Sequence, residues 1–249
     1  MGYFVNCLKR SETLERDIRE LIPEMNIRRR MSRVVKMGVC CGLESLLSFE
    51  EYGQVDAIVT ATSLGAIADS EKFLSNIITS QERMLNPTPF IQSTFNTIGA
   101  QIALIRKMKC YNNTFVHRNN SFESALLESI LRLECGSSSS VLVGIFDEVT
   151  PTVELLSRRL RLLGGRAMGE GAIFFVLTPI RYDSSVAQIE LLLDGSQIEE
   201  GERLSTLSRS YWSGALALCL AETIEQKREC ILINDMNTTM QTALKIEML

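Results

Sequence analysis

The sequence predicts an α/β layered domain, a mainly parallel mixed sheet covered by helices on both faces. Three observations lead there. Apolar runs of strand length, Asp56–Ala61, Val141–Phe146 and Ala172–Leu177, are continuous rather than alternating, as in strands buried on both faces. Stretches of helical period alternate with them along the chain, such as Ser32–Leu47 ahead of the first, with Val35, Val39, Leu43 and Leu46 on one stripe. The chain has 249 residues, 45% hydrophobic and 22% charged, with 15 Gly and 5 Pro, which suits one compact domain with a sizeable core.

In chain order, a short strand at Tyr3–Cys7 precedes a polar helix near Ser11–Leu21 that Pro23 closes, and then the long helix Ser32–Leu47. The strand from Asp56 leads to a helix at Asp69–Ile78 and a rigid loop at Asn86-Pro87-Thr88-Pro89. A helix at Ser93–Lys107 precedes a strand at Thr114–His117. Ser121 opens another helix, with Phe122, Leu126, Ile130 and Leu133 as its inner stripe. After the Ser137–Ser140 turn come the strands Val141–Phe146, Ala172–Leu177 and Val186–Leu193, a helix at Ser213–Glu225, and strands at Cys230–Asn234 and Thr242–Glu247. No repeat or linker-like segment divides the chain.

A net charge of −4 argues against nucleic acid or an anionic membrane as partner, since both need a basic surface field. The seven cysteines lack metal-binding spacing and read as small buried hydrophobes in a reducing compartment. With His117 the single histidine, no metal or cofactor is expected. The N-terminal residues lack a secretory pattern, so a cytoplasmic location is expected. Arg28-Arg29-Arg30, with Arg33 and Lys36, is the one basic run. It reads as a solvated face or as a partner of Glu199-Glu200, with carrier-protein docking as the sharper alternative. Gly164-Gly165 and Gly169-x-Gly171 lack the Lys-Ser/Thr of a phosphate loop and suit a tight turn.

Met31-Ser32-Arg33, Val59-Thr60-Ala61-Thr62-Ser63-Leu64-Gly65, Asn86–Phe90 through Asn96 to Ala103, Ser121–Leu127 and Met168-Gly169-Glu170-Gly171-Ala172 resemble, in order, the landmarks of beta-ketoacyl synthases. The nearest likeness is to the short ketosynthase-like proteins of aryl-polyene and flexirubin pathways. The resemblance implies a thiolase-like fold in one domain, 1–249, with 1–182 resembling the family's first half and 183–249 a shortened remnant of the second.

The same resemblance puts Phe122 at the family's cysteine position and Tyr211 at a histidine position, with Asn237-Thr238-Thr239 where glycines would approach the oxyanion. Decarboxylative condensation needs nucleophile, histidine pair and oxyanion donors together. What is implied is a non-catalytic, chain-length-factor-like subunit for acyl-chain or polyene biosynthesis, with a vestigial pocket of His117, Ser121, Phe122, Glu123 and Ser124. Its implied partner is a second copy or an active ketosynthase, with acyl carrier protein as a further one. The alternative is a diverged acyltransferase or hydrolase using Ser121 and His117. Against it stands the structural reading, in which Ser121 caps its helix and Glu123 favours the positive helix end.

Overall fold

A computed structural model describes residues 2–160, 167–194, 198, 200–207, 210–236 and 241–249. The first half comprises β1 (Tyr3–Arg10), α1 (Ile18–Leu21), α2 (Met25–Arg30), α3 (Arg33–Phe49), β2 (Ala57–Ala61), α4 (Ile67–Thr79), α5 (Pro87–Gln92), α6 (Thr97–Ile105) and β3 (Tyr111–Phe115). There follow α7 (Ser121–Glu134), β4 (Val141–Asp147), α8 (Pro151–Leu160), β5 (Ala167–Met168) and β6 (Gly171–Thr178). The chain ends with β7 (Ser185–Leu192), β8 (Glu202–Arg203), α9 (Leu204–Leu207), β9 (Ser210–Tyr211), α10 (Ala215–Glu225), β10 (Cys230–Asn234) and β11 (Thr242–Met248). Nine strands form one sheet in the order β3-β2-β4-β6-β1-β7-β11-β10-β8, so both sequence halves share a single sheet. The short strands β5 and β9 pair separately.

Burial on both faces explains the apolar strands. Along β6, Ile173, Phe175 and Leu177 pack into one core with Phe122 and Leu126 of α7 and Leu216 and Leu220 of α10. The intervening Ala172, Phe174 and Val176 pack on the other face with Val35, Val39 and Leu43 of α3 and Ile98 and Ile102 of α6. Successive residues of a strand point to opposite faces, so a strand inside two cores must be apolar throughout. Gly42 lets α3 approach closely, since a Cβ there would lie 2.5 Å from Ile102 Cδ1.

The layered α/β class holds, but the sheet is not mainly parallel. Five neighbouring pairs are antiparallel (β4–β6, β6–β1, β1–β7, β7–β11, β11–β10) and three are parallel (β3–β2, β2–β4, β10–β8). An apolar run reports burial on two faces and carries no information about strand direction.

Local departures have local causes. The Ser11–Leu21 helix shrinks to α1, because Glu15 and Arg16 donate their backbone N–H groups to the buried Glu44 carboxylate instead. Asn86-Pro87-Thr88-Pro89 is the start of α5. The Asn86 side chain accepts from the Thr88 N–H at 3.0 Å, and Pro87 sits at a first helical position where no N–H is needed. The unforeseen α8 begins the same way, with Thr150 Oγ1 accepting from Val153 N–H ahead of Pro151. Cys40, Cys41 and Cys219 are buried as expected, whereas Cys135, at the end of α7, is exposed. Among the described residues no helix is long and apolar enough to cross a membrane.

Candidate functional site

The end of β3 and the first turn of α7 bring most of the sequence-picked residues together. The chain leaves β3, passes His117, and makes a short 3-10 turn at Arg118–Asn120 before α7 begins. Phe122 lies in the first turn of α7 with no exposed surface, and its ring meets Phe175 of β6 edge-to-face at 6.2 Å and 70°. The helical stripe of Leu126 and Leu133 predicts this placement, because it turns the Phe122 side inward.

Ser121 is buried, and its hydroxyl is engaged twice with backbone. It accepts from the His117 N–H at 2.9 Å and donates to the Arg118 carbonyl at 2.7 Å. It therefore closes the 3-10 turn rather than capping α7, whose cap position is Asn120. The extra turn moves the helix start by one residue. His117 Nδ1 lies 3.1 Å from Ser124 Oγ at the exposed surface, so the imidazole meets Ser124 and not Ser121. A Ser121/His117 nucleophile–base pair is not assembled by this geometry.

At Glu123 the helix end acts as the sequence suggests, but burial outweighs it. Glu123 is buried, and Asn234 of β10 donates to its Oε1 while its Oε2 has no partner. Burial pushes its carboxyl up to about 7, outweighing the Asn234 contact and the backbone donor that pull the other way. The sign of the pH effect follows. The unfolded chain releases this proton near pH 4.5 while the folded chain holds it to about 7, so this residue's contribution to stability falls across that window as pH rises. Glu123→Gln, which cannot ionise, is expected to match the parent below pH 4.5. By pH 8 it should be more stable by about 3 kcal/mol, measured as the difference between denaturant titrations of the two proteins.

A residue the sequence reading passed over organises the neighbourhood. Asp147, the last residue of β4, is buried and accepts five hydrogen bonds. Oδ1 takes Thr62 Oγ1 at 2.7 Å and the N–H groups of Ser63 and Leu64 at 2.9 and 2.8 Å. Oδ2 takes Trp212 Nε1 at 3.1 Å and Ser213 Oγ at 2.5 Å. Burial raises its carboxyl above the usual range, and the donors led by Ser213 hold that rise back. A carboxylate closing an otherwise apolar run was the available sequence signal. Gly65 ends the tethered loop at φ +65°, and a Cβ there would meet the Phe95 ring at 2.7 Å.

The Gly169–Gly171 turn is fixed from outside. Arg33 grips Glu170 with two bonds of 2.8 and 2.5 Å, and Glu170 also accepts from the Val149 N–H. Within the basic run Arg33 pairs with Glu170 and Arg28 donates to the carbonyls of Ile22 and Pro23, while Glu199 of the expected Glu199-Glu200 partner lies outside the described residues. Gly164-Gly165 and Asn237-Thr238-Thr239 also lie outside the described residues. The backbone of Tyr211, on β9, pairs with Met168 of β5. Between Leu64, Asn119, Met168 and Trp212 a crevice of only about 30 Å³ remains. That is about the share of one water molecule, far below the roughly 300 Å³ at which small-molecule sites begin.

The model of the beta-ketoacyl synthase N-terminal domain matches residues 9–155, more than half of the chain. The chain belongs to the beta-ketoacyl synthase family. No curated protein matches it. Among solved structures it is similar to a ketosynthase (ApeO) in complex with its chain length factor (ApeC) from Xenorhabdus doucetiae. There the identity is 17% and the TM-score 0.67, covering 98% of this chain and 99% of that one. It is also similar to the ishigamide ketosynthase/chain length factor, at 12% identity and TM-score 0.73 over 94% and 86% of the two chains. A third is 3-oxoacyl-(acyl carrier protein) synthase III, FabH, from Pseudomonas aeruginosa PAO1, at 11% identity and TM-score 0.56 over 100% of both. These synthase likenesses establish the thiolase-like fold, and in this chain the neighbouring strands β2 and β4 carry the Asp147-tethered loop at their ends.

Proposed function

We propose that this beta-ketoacyl synthase-like chain is a non-catalytic subunit that pairs with an active ketosynthase and shapes acyl-chain or polyene synthesis as a chain length factor does. The observation that carries the reading is the sealed first turn of α7. Phe122, at the position the family resemblance assigns to the cysteine, is fully buried and cannot be acylated, and the neighbouring Ser121 hydroxyl is committed to backbone. Tyr211 stands at a position the resemblance assigns to histidine, and residues 183–249 are read as a shortened second half. The similar structures titled as ketosynthase with chain length factor support the same reading.

The pairing surface follows from the sheet. β3 is an edge strand with one side unpaired, and Asn112 of that strand binds the Gly99 carbonyl of α6. Leu104 of α6, the helix packed on β3, and Phe90 and Ile91 of the preceding α5 are each more than half exposed. An unpaired edge flanked by apolar side chains must be covered or it invites aggregation. We place the interface at Asn113–His117 with Gln92–Gln101, closing a two-fold pair with a ketosynthase, or with a second copy when none is present, and burying more than about 1,000 Å². Acyl carrier protein is the further partner of such a pair.

The expected result is co-elution, in light scattering at low micromolar concentration, with a cysteine-bearing ketosynthase. Alone with acyl and malonyl carrier protein it should show no condensation, and Phe122→Cys should remain inactive because catalytic groups act as a unit. A monomer that ignores the synthase, or robust turnover by the protein alone, would overturn the proposal.

A further inference from the structure

An open space lies at the opposite end of the sheet from Phe122 and Asp147. It is a cleft of about 450 Å³ at the start of β2 and β3, bounded by the last turn of α3, the Gly53–Asp56 loop and the segment after α6. That volume falls within the roughly 300–1,000 Å³ of small-molecule sites. The two ends of β2 are separated by its five residues, or about 17 Å, so the cleft is independent of the sealed turn.

Its chemistry is two-sided. Leu46, Val55 and Met108 supply apolar lining, and Arg106, Lys107 and Lys109 supply three cations. The two carboxylates present are already engaged by the protein. Glu50 pairs with Arg106, and Asp56 Oδ2 accepts from the N–H and the hydroxyl of Ser139 at 2.8 and 2.7 Å. Lys107 and Lys109 have no such partner among the described residues, which leaves a local cationic rim on a chain whose net charge is −4. The helix-end turn that presents them is closed by the Met108 N–H on the Ala103 carbonyl at 2.8 Å. It holds Lys107 at φ +53°, where glycine or asparagine is favoured.

We propose that this cleft is a binding site for an amphiphilic anion, with a carboxylate or phosphate head held by Lys107 and Lys109 and an aliphatic body against Leu46, Val55 and Met108. Charge-assisted bonds from the two ammonium groups hold the head, and burial of the methylene chain adds affinity in proportion to its length. Nothing in the site is reactive. Burial raises the Cys110 thiol above its usual range, so the ligand binds without covalent attachment.

The test is calorimetric titration of the full chain with decanoate and with decyl phosphate at low ionic strength. Saturable one-site binding is expected for at least one of them, and which one binds distinguishes the head groups. Binding should weaken with added salt and with shortening of the chain. Lys107→Glu/Lys109→Glu should weaken it at least about tenfold, the loss that corresponds to one charged contact. Val55→Glu, which leaves both lysines in place, should weaken it as much by charging the apolar wall. Lys72→Glu, outside the cleft, should bind as the parent does. Equal binding of decyltrimethylammonium, unchanged affinity in the double lysine variant, or no binding of either anion up to millimolar concentration would overturn the proposal.

Discussion

Asp147→Ala is expected to destabilise the chain by about 3–5 kcal/mol, because it leaves several buried donors unsatisfied at once. The substitution strands the N–H groups of Ser63 and Leu64, the Thr62 and Ser213 hydroxyls and the Trp212 indole N–H in a buried site with room for about one water. Each stranded donor carries about 1–3 kcal/mol of desolvation, but they share one cavity and relax together, so the sum is not reached. Asp147→Asn separates charge from geometry. Its amide keeps one acceptor for the Thr62–Leu64 loop but turns a donor toward Trp212, so a loss of about 1–3 kcal/mol is expected there. Denaturant midpoints for the two variants test this, with near-ultraviolet circular dichroism reporting Trp212, the sole tryptophan. A loss for Asp147→Ala below about 1 kcal/mol would mean that water replaces the carboxylate, contrary to the buried site described.

Phe122→Ala is expected to cost about 3–5 kcal/mol, because the ring has no exposed surface and its removal leaves a cavity between α7 and β6. The interest of this variant lies in what the cavity does to function. If the ring fills space that an acyl chain would otherwise enter, Phe122→Ala paired with an active ketosynthase should release longer products than the parent pair, read by mass spectrometry of the carrier-bound chains. Unchanged product length, with the variant folded and paired, would remove Phe122 from any role in shaping the product. Phe122→Leu keeps most of the apolar volume and should retain most of the stability, so it separates loss of fold from loss of filling.

Much of the fold was legible in advance because its signals are local. The apolar runs of β2, β4 and β6 and the stripe of α7 identify two-faced strands and a one-faced helix from the chain alone. The short helices α2, α5 and α8 were not foreseen. The two-turn helices α2 and α5 are too short to show a period, and a proline pair such as Pro87 and Pro89 reads as a loop unless its Asn86 cap is recognised. Strand direction was misjudged for a different reason: residues buried on both faces look alike whichever way the strand runs.

The sequence by itself determined which residue types stand at each position: a phenylalanine without nucleophilic chemistry at the start of α7, a single histidine and a small net negative charge. Only the tertiary structure decided what those residues experience. Asp147 meets Trp212 across 65 positions, Asn234 meets Glu123 across 111, and His117 finds Ser124 rather than Ser121 because a 3-10 turn intervenes. The physical reason is that proton affinity, hydrogen-bond satisfaction and free volume depend on which groups share a dielectric environment. Chain folding sets that, and no stretch of neighbouring residues encodes it.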